Sequence, residues 1–225
     1  MPNLKFEIIS SEVKEFAMIP TLSFKLKITN DVEGEEVYAA ALKCQVMIEA
    51  IKRTYNEETK DKLHELFGEP FRWDETLRSF CWVIINIPVP RFTGHTIVEV
   101  AIPCSEDQAL AAGKYFYAVD NGLVPLAFLF SGTLFYKDAD DNLQVTLVPW
   151  EKEAFWKMPA NLWQEMMEGH FPNSRWLRVR KDVYDRLVKF KSQSASPTLE
   201  NCLEQILDDA LKNIHLHENQ MHELQ

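Results

Sequence analysis

PTLSFKLKIT, residues 20–29, decides the fold. Its apolar side chains are Leu22, Phe24, Leu26 and Ile28, with Ser23, Lys25, Lys27 and Thr29 between them. Successive side chains of a strand point to opposite faces. A strict period of two therefore predicts a strand with one buried and one solvated face, as antiparallel sheets have.

The same rhythm extends on both sides. Leu4, Phe6 and Ile8 alternate with Lys5 and Glu7, and in ALKCQVMIE (41–49) Leu42, Cys44, Val46 and Ile48 share one face. Cys44 is thus expected to point into a core, in a packing role. SFCWVIINIPV (79–89) is apolar on both faces, as a central strand is. TIVEVAIP (96–103) alternates, and LVPLAFLFSGTLFY (123–136) is long and apolar. NLQVTLV (142–148) alternates with Leu143, Val145 and Leu147 expected inward. Turn signals at DVEGEE, PRFTG, Asp120-Asn121-Gly122 and KDADDN separate these runs. The last carries Asp138, Asp140, Asp141 and Asn142, but not at EF-hand spacing, so it reads as an acidic turn.

One helix interrupts this region. NEETKDKLHELFG places Leu63, Leu66 and Phe67 at helical spacing with Gly68 as its stop. From Glu106 to Ala118, alanines favour helix and Tyr115-Phe116-Tyr117 favour strand, so either reading stands. After Pro149 the pattern turns helical. NLWQEMMEG (161–169) and RKDVYDRLVKFK (180–191) are two helices, and Ser196-Pro197 opens a third with Leu199, Leu203, Ile206, Leu207, Ala210 and Leu211 as its stripe. The expected architecture is mainly β, α+β overall. Residues 1–150 form an antiparallel β-sandwich, Ig-like in style, with a helical insertion near 57–67, and residues 151–225 form a helical extension packed on it. A single α+β unit with helices covering one sheet is the alternative.

Composition narrows function. The formal net charge of -10 argues against phosphate-backbone binding, so no nucleic acid is expected. The N-terminus lacks a secretory signal pattern, and no apolar run reaches the roughly 20 residues that span a bilayer, which predicts a cytoplasmic protein. Cys44, Cys81, Cys104 and Cys202 form no C-x-x-C pair and read as reduced thiols. There is no G-x-S-x-G elbow and no glycine-rich phosphate loop.

Three constellations remain as candidates. Cys104 with His95 is a possible nucleophile and base, although no third orienting residue accompanies them. In the tail, His215, Glu218 and His222 fall at i, i+3 and i+7, a spacing that puts two imidazoles and a carboxylate on one helix face for zinc or nickel, with His217 off that face. Trp150, Trp156, Trp163 and Trp176 cluster near a basic island at 175–191, which holds seven Lys and Arg side chains against two acidic ones. Tryptophans either seal the helices onto the sheet or anchor a partner. Trp156, Trp163, Trp176, Arg178 and Arg180 are the partner-binding candidates. In HFPNSRWLRV (170–179), His170, Asn173 and Ser174 read as backbone-shaping residues of a turn.

PTLSFKLKIT, ALKCQVMIE, FGEPFRWDETLRSF, VPRFTG, GLVPLAFLFSGTLFY, VPWEKEA and HFPNSRWLRV together resemble a bacterial family known only as a domain of unknown function, over about residues 4–190. Genes of that family are often found beside [NiFe]-hydrogenase structural and maturation genes. The resemblance implies a non-catalytic interaction or assembly factor without a cofactor, with hydrogenase subunits or maturation factors as partners. It supplies no catalytic residue. The competing reading is a metal-binding carrier or an enzyme using the terminal histidines or Cys104 and His95.

Overall fold

The computed structural model describes residues 1–104, 110–138, 140–174 and 177–222. The chain forms two compact units, Met1–Ser174 and Arg175–Gln225.

The first unit is built on nine strands: β1 (Leu4–Val13), β2 (Thr21–Asn30), β3 (Glu36–Ile48), β4 (Phe80–Val89), β5 (Phe92–Thr93), β6 (His95–Pro103), β7 (Leu123–Lys137), β8 (Leu143–Leu147) and β9 (Glu153–Pro159). One sheet has the order β1-β2-β6; the other runs β4-β3-β7-β8, with β5 paired to β3 and β9 to β7. Every pairing is antiparallel. The chain thus starts on one sheet, crosses to the second, returns with β6 beside β2 and crosses back, an Ig-like strand order.

The alternation in β2 is realised in full. Leu22, Phe24, Leu26 and Ile28 have no exposed surface, and each such side chain contributes roughly 1.5–3 kcal/mol on burial. Phe6 of β1 stacks on Phe130 of β7 at 4.3 Å, and Phe24 meets Phe128 edge-on at 5.3 Å. Those ring pairs are where the two sheets face each other.

β7 is the longest strand, fifteen residues, and it takes two successive neighbours on one edge. Leu123–Leu129 pair with β9 and Thr133–Lys137 with β8. Between the two lies Gly132, at φ 141 and opposite Leu42. A Cβ there would stand 2.2 Å from the carbonyl oxygen of Ala41, so only glycine lets the strands approach.

Four helices belong to this unit: α1 (Glu57–Phe67), α2 (Trp73–Thr76), α3 (Leu110–Ala118) and α4 (Ala160–His170). α1 has the predicted bounds; the Asn56 side chain accepts from Thr59 N–H at its start, and Gly68 at φ 72 ends it. The ambiguous segment resolves to helix over 110–118, while 105–109 lie outside the described residues. α3 buries Tyr115 and Phe116 completely, because edge-on ring contacts join them to Tyr55, Phe67, Phe80 and Trp82. Tertiary packing, not strand propensity, decides this stretch.

Three expectations are corrected. β4 is an edge strand, not a central one, and its outward Ile84 is exposed. β8 turns Leu143, Val145 and Leu147 away from the core, because Val145 opposes the outward Phe135 while Leu134, the inward residue, opposes Thr146. The first unit also runs past residue 150 to Ser174, since 153–159 form a strand whose Ala154, Trp156 and Met158 face inward.

The second unit contains α5 (Lys181–Gln193) and α6 (Leu199–His222), joined by a short link. Thr198 Oγ1 accepts from Asn201 N–H at 3.1 Å and caps α6.

Candidate interaction surface

In antiparallel pairs, residues directly opposite share a face. The outer face of the larger sheet therefore collects Ala127, Thr133 and Phe135 of β7 with their partners Phe155, Leu147 and Val145. The exposures there are high for apolar groups: Leu143 55%, Val145 60%, Leu147 72% and Phe155 55%. Trp150, in the link between β8 and β9, is 89% exposed. That link is pinned by Val148 N–H donating to Gly132 O and by Phe130 N–H donating to Lys152 O, both at 2.9 Å. Four large apolar side chains, Leu143, Val145, Leu147 and Phe155, thus lie on the outer face of the sheet, and the exposed Trp150 stands in the pinned link between β8 and β9.

Phe155 also borders a hollow of about 540 Å³ with Glu49, Lys52, Pro125, Trp156 and Lys157. Lys52 lies 4.8 Å above the Phe155 ring and pairs with Glu49 at 2.9 Å. The hollow joins an aromatic wall to two ammonium groups and one carboxylate, which suits a polar rim beside an apolar contact.

A second exposed apolar point is the β1–β2 link. Phe16 and Met18 are wholly exposed, and Phe16 takes φ 55, rare for an aromatic residue. The two ring nitrogens of His170, at the end of α4, lie 3.0 Å from Met166 O and 3.2 Å from Ala17 O and tie that link to the helix. Asn173 takes φ 54 and Ser174 N–H donates to Phe171 O at 3.2 Å, a turn with proline second and asparagine third.

The predicted tryptophan anchors separate. Trp163 is buried, stacked on Phe116 at 5.5 Å and edge-on to Tyr117 at 4.5 Å. Trp156 is half-buried on the inner face of β9, where its Nε1–H donates to Ser11 Oγ at 3.0 Å and links β9 to β1. Trp163 therefore seals the sandwich and is not a surface anchor, while Trp156 ties β9 to β1 and also borders the hollow beside Phe155. Trp176 lies outside the described residues, whereas Arg178 and Arg180 are exposed, with Arg180 paired to Asp182 at 3.1 Å. Trp150 is the exposed member of the described set. Its place between Pro149 and the charged Glu151-Lys152-Glu153, away from any apolar period, is the sequence signal that could have marked it.

The Cys104 and His95 pairing is overturned. His95 opens β6 and Cys104 follows its last residue, so about 30 Å of extended chain separates them. Cys104 is also buried, its Sγ–H donating to Ile102 O, and burial pushes the thiol up to about 12. Cys44 is raised to about 12 by the same desolvation. Neither is a thiolate nucleophile at neutral pH.

For the metal candidate, α6 runs through His222, but the side chains of His215, Glu218 and His222 lie outside the described residues. Among the described residues no group of three His, Cys, Asp or Glu side chains converges to hold a metal ion. In the acidic turn, Asp138 Oδ1 accepts from the N–H groups of Asp140 and Asn142. Its carboxyl is held below the usual range chiefly by the Asn142 N–H, so the carboxylate serves the turn.

Fold and surface define a β-sandwich domain with exposed apolar side chains on one outer sheet face, followed by a helical unit. The chain belongs to a family of unknown function, DUF6084, whose model matches residues 1–215. No curated protein matches it. Among solved structures it is similar to the CARDB domain of a Pyrococcus furiosus protein in complex with di-metal ions, at 10% identity over 70% of this chain and 87% of that one, TM-score 0.28. A putative ApaA protein from Bordetella pertussis gives 8% identity over 70% and 95%, TM-score 0.26. A beta-glucosidase from Kluyveromyces marxianus gives 14% identity and TM-score 0.27, with 70% of this chain matched to 15% of that enzyme's length. At such scores the sandwich rests on its own strand register. Among the described residues no helix is long and apolar enough to cross a membrane.

Proposed function

We propose that this protein is a non-catalytic interaction or assembly factor, acting in the cytoplasm on subunits or maturation factors of a [NiFe]-hydrogenase. The observation that carries the reading is the exposure of Leu143, Val145 and Leu147 on β8, Phe155 on β9 and Trp150 in the link between them, all more than half exposed. Exposed apolar side chains on a rigid scaffold are what partner binding uses, and tryptophan is a common anchor there. The hydrogenase partner rests on the genomic company of the family resemblance.

The test is co-purification from the native host under mild conditions, with the wild-type chain and with Val145→Asp/Leu147→Asp/Trp150→Ala. A hydrogenase or maturation protein should come down with the wild type and be lost with the variant, while the thermal midpoint stays within a few degrees. Recovery of no such protein with the wild type sinks the partner class. Equal recovery with the variant sinks the surface.

A further inference from the structure

The second unit presents an unfinished helical interface. α5 and α6 enclose an apolar groove of about 850 Å³, with Val183, Leu187, Phe190, Leu199, Leu203 and Ile206 among its walls. Arg186 and Lys189 stand on the α5 side of it. α6 is 24 residues long against 13 for α5, so at 1.5 Å per residue it projects roughly 16 Å farther. Leu207, Leu211 and Ile214, a stripe at i, i+4 and i+7, are each more than half exposed along α6. Helical rotation sets Glu200, Glu204 and Asp208 as an acidic ridge beside that stripe. Among the described residues no ion pair joins α5 to α6, and the ion pairs made by their charged groups are local, Arg180–Asp182 and Asp209–Lys212.

A hairpin with a basic flank on one helix, an acidic flank on the other and an apolar surface between them is complementary to itself. A two-fold axis brings each basic flank against the partner's acidic one. We propose that the α5–α6 hairpin binds a second copy of this chain and closes a four-helix bundle, with Leu207, Leu211 and Ile214 packed across the axis and Arg186 and Lys189 facing Glu200 and Glu204 of the other copy. The bundle buries the α6 stripe in the way a helix pair alone does not.

Sedimentation velocity and light scattering on the full chain across the micromolar range test it. The wild type is expected as a dimer. Leu207→Asp/Leu211→Asp should give monomers with unchanged far-UV circular dichroism. Arg186→Glu/Lys189→Glu and Glu200→Lys/Glu204→Lys should each weaken self-association by about tenfold or more, and an equimolar mixture of these two charge-reversed chains should restore dimers. A wild type that stays monomeric throughout overturns the proposal, and so does a dimer that neither the leucine nor the charge variants perturb.

Discussion

β2 and β8 carry the same pattern with opposite results. Both alternate apolar and polar residues, yet β2 buries Leu22, Phe24, Leu26 and Ile28 without remainder, whereas β8 holds Leu143, Val145 and Leu147 in solvent. β2 lies in the middle of its sheet and faces β7; β8 lies at the end of its sheet and takes its orientation from Phe135 and Leu134. Alternation says that the apolar residues share a face. Pairing register says which face it is. An apolar set that register turns outward is left in solvent, and on that exposure the proposed interaction rests.

The contrast can be broken by substitution. Phe24→Ala removes a fully buried ring that contacts Phe128 and should cost about 3–5 kcal/mol in denaturant unfolding. Val145→Ser and Leu147→Ser should change the same measurement by less than about 0.5 kcal/mol each. A large loss from the β8 pair would show that face to be core.

Gly132→Ala comes next, since its Cβ meets the Ala41 carbonyl; a loss of about 2–3 kcal/mol is expected from strain and displaced pairing, read as a lower midpoint with an unchanged slope. Tyr55→Phe interrupts the bonds in which Tyr55 O–H donates to Ala50 O at 2.8 Å and meets Tyr115 O–H at 2.9 Å. It strands the hydroxyl of the wholly buried Tyr115, so about 1–3 kcal/mol should go. Tyr115→Phe, which leaves the Tyr55–Ala50 bond intact, should cost less.

The smallest effects concern the thiols. Cys44 and Cys104 rise from 9.0 to about 12 on folding. A raised acid holds its proton more tightly when folded. Its stabilisation is complete below pH 9 and is lost as pH climbs from about 9 towards 12. The double variant Cys44→Ala/Cys104→Ala should show a flatter alkaline limb in a pH-dependent unfolding series, whatever its absolute stability. A thiol reagent at neutral pH should label Cys81, which is exposed, far faster than Cys44, Cys104 and Cys202, which are buried.

Much of the sandwich was legible because its strands alternate. β2, β3 and the bounds of α1 follow from period two, period 3.6 and the Asn56 and Gly68 caps. β4 misled because two apolar faces mark a central strand, while here one of them is solvent-exposed at Ile84. β9 was missed beside the helical residues after it, although Ala154, Trp156 and Met158 do alternate with Glu153, Phe155 and Lys157. The candidate surface was hidden for a different reason. Leu147 and Phe155 look like any core residues until the pairings of β7 are known. Tryptophan spacing alone could not separate the buried Trp163 from the exposed Trp150.

The single long β7 also sets where this chain can grow. A residue inserted between Phe130 and Leu134 would reverse the sides of everything beyond it, sending Leu134 out and Phe135 in, and would misalign β3 and β8 at once. An insertion at residues 140–142 meets an exposed turn. Length variation among descendants of this fold is therefore expected to accumulate at the β7–β8 turn and to be absent from the strand that feeds it.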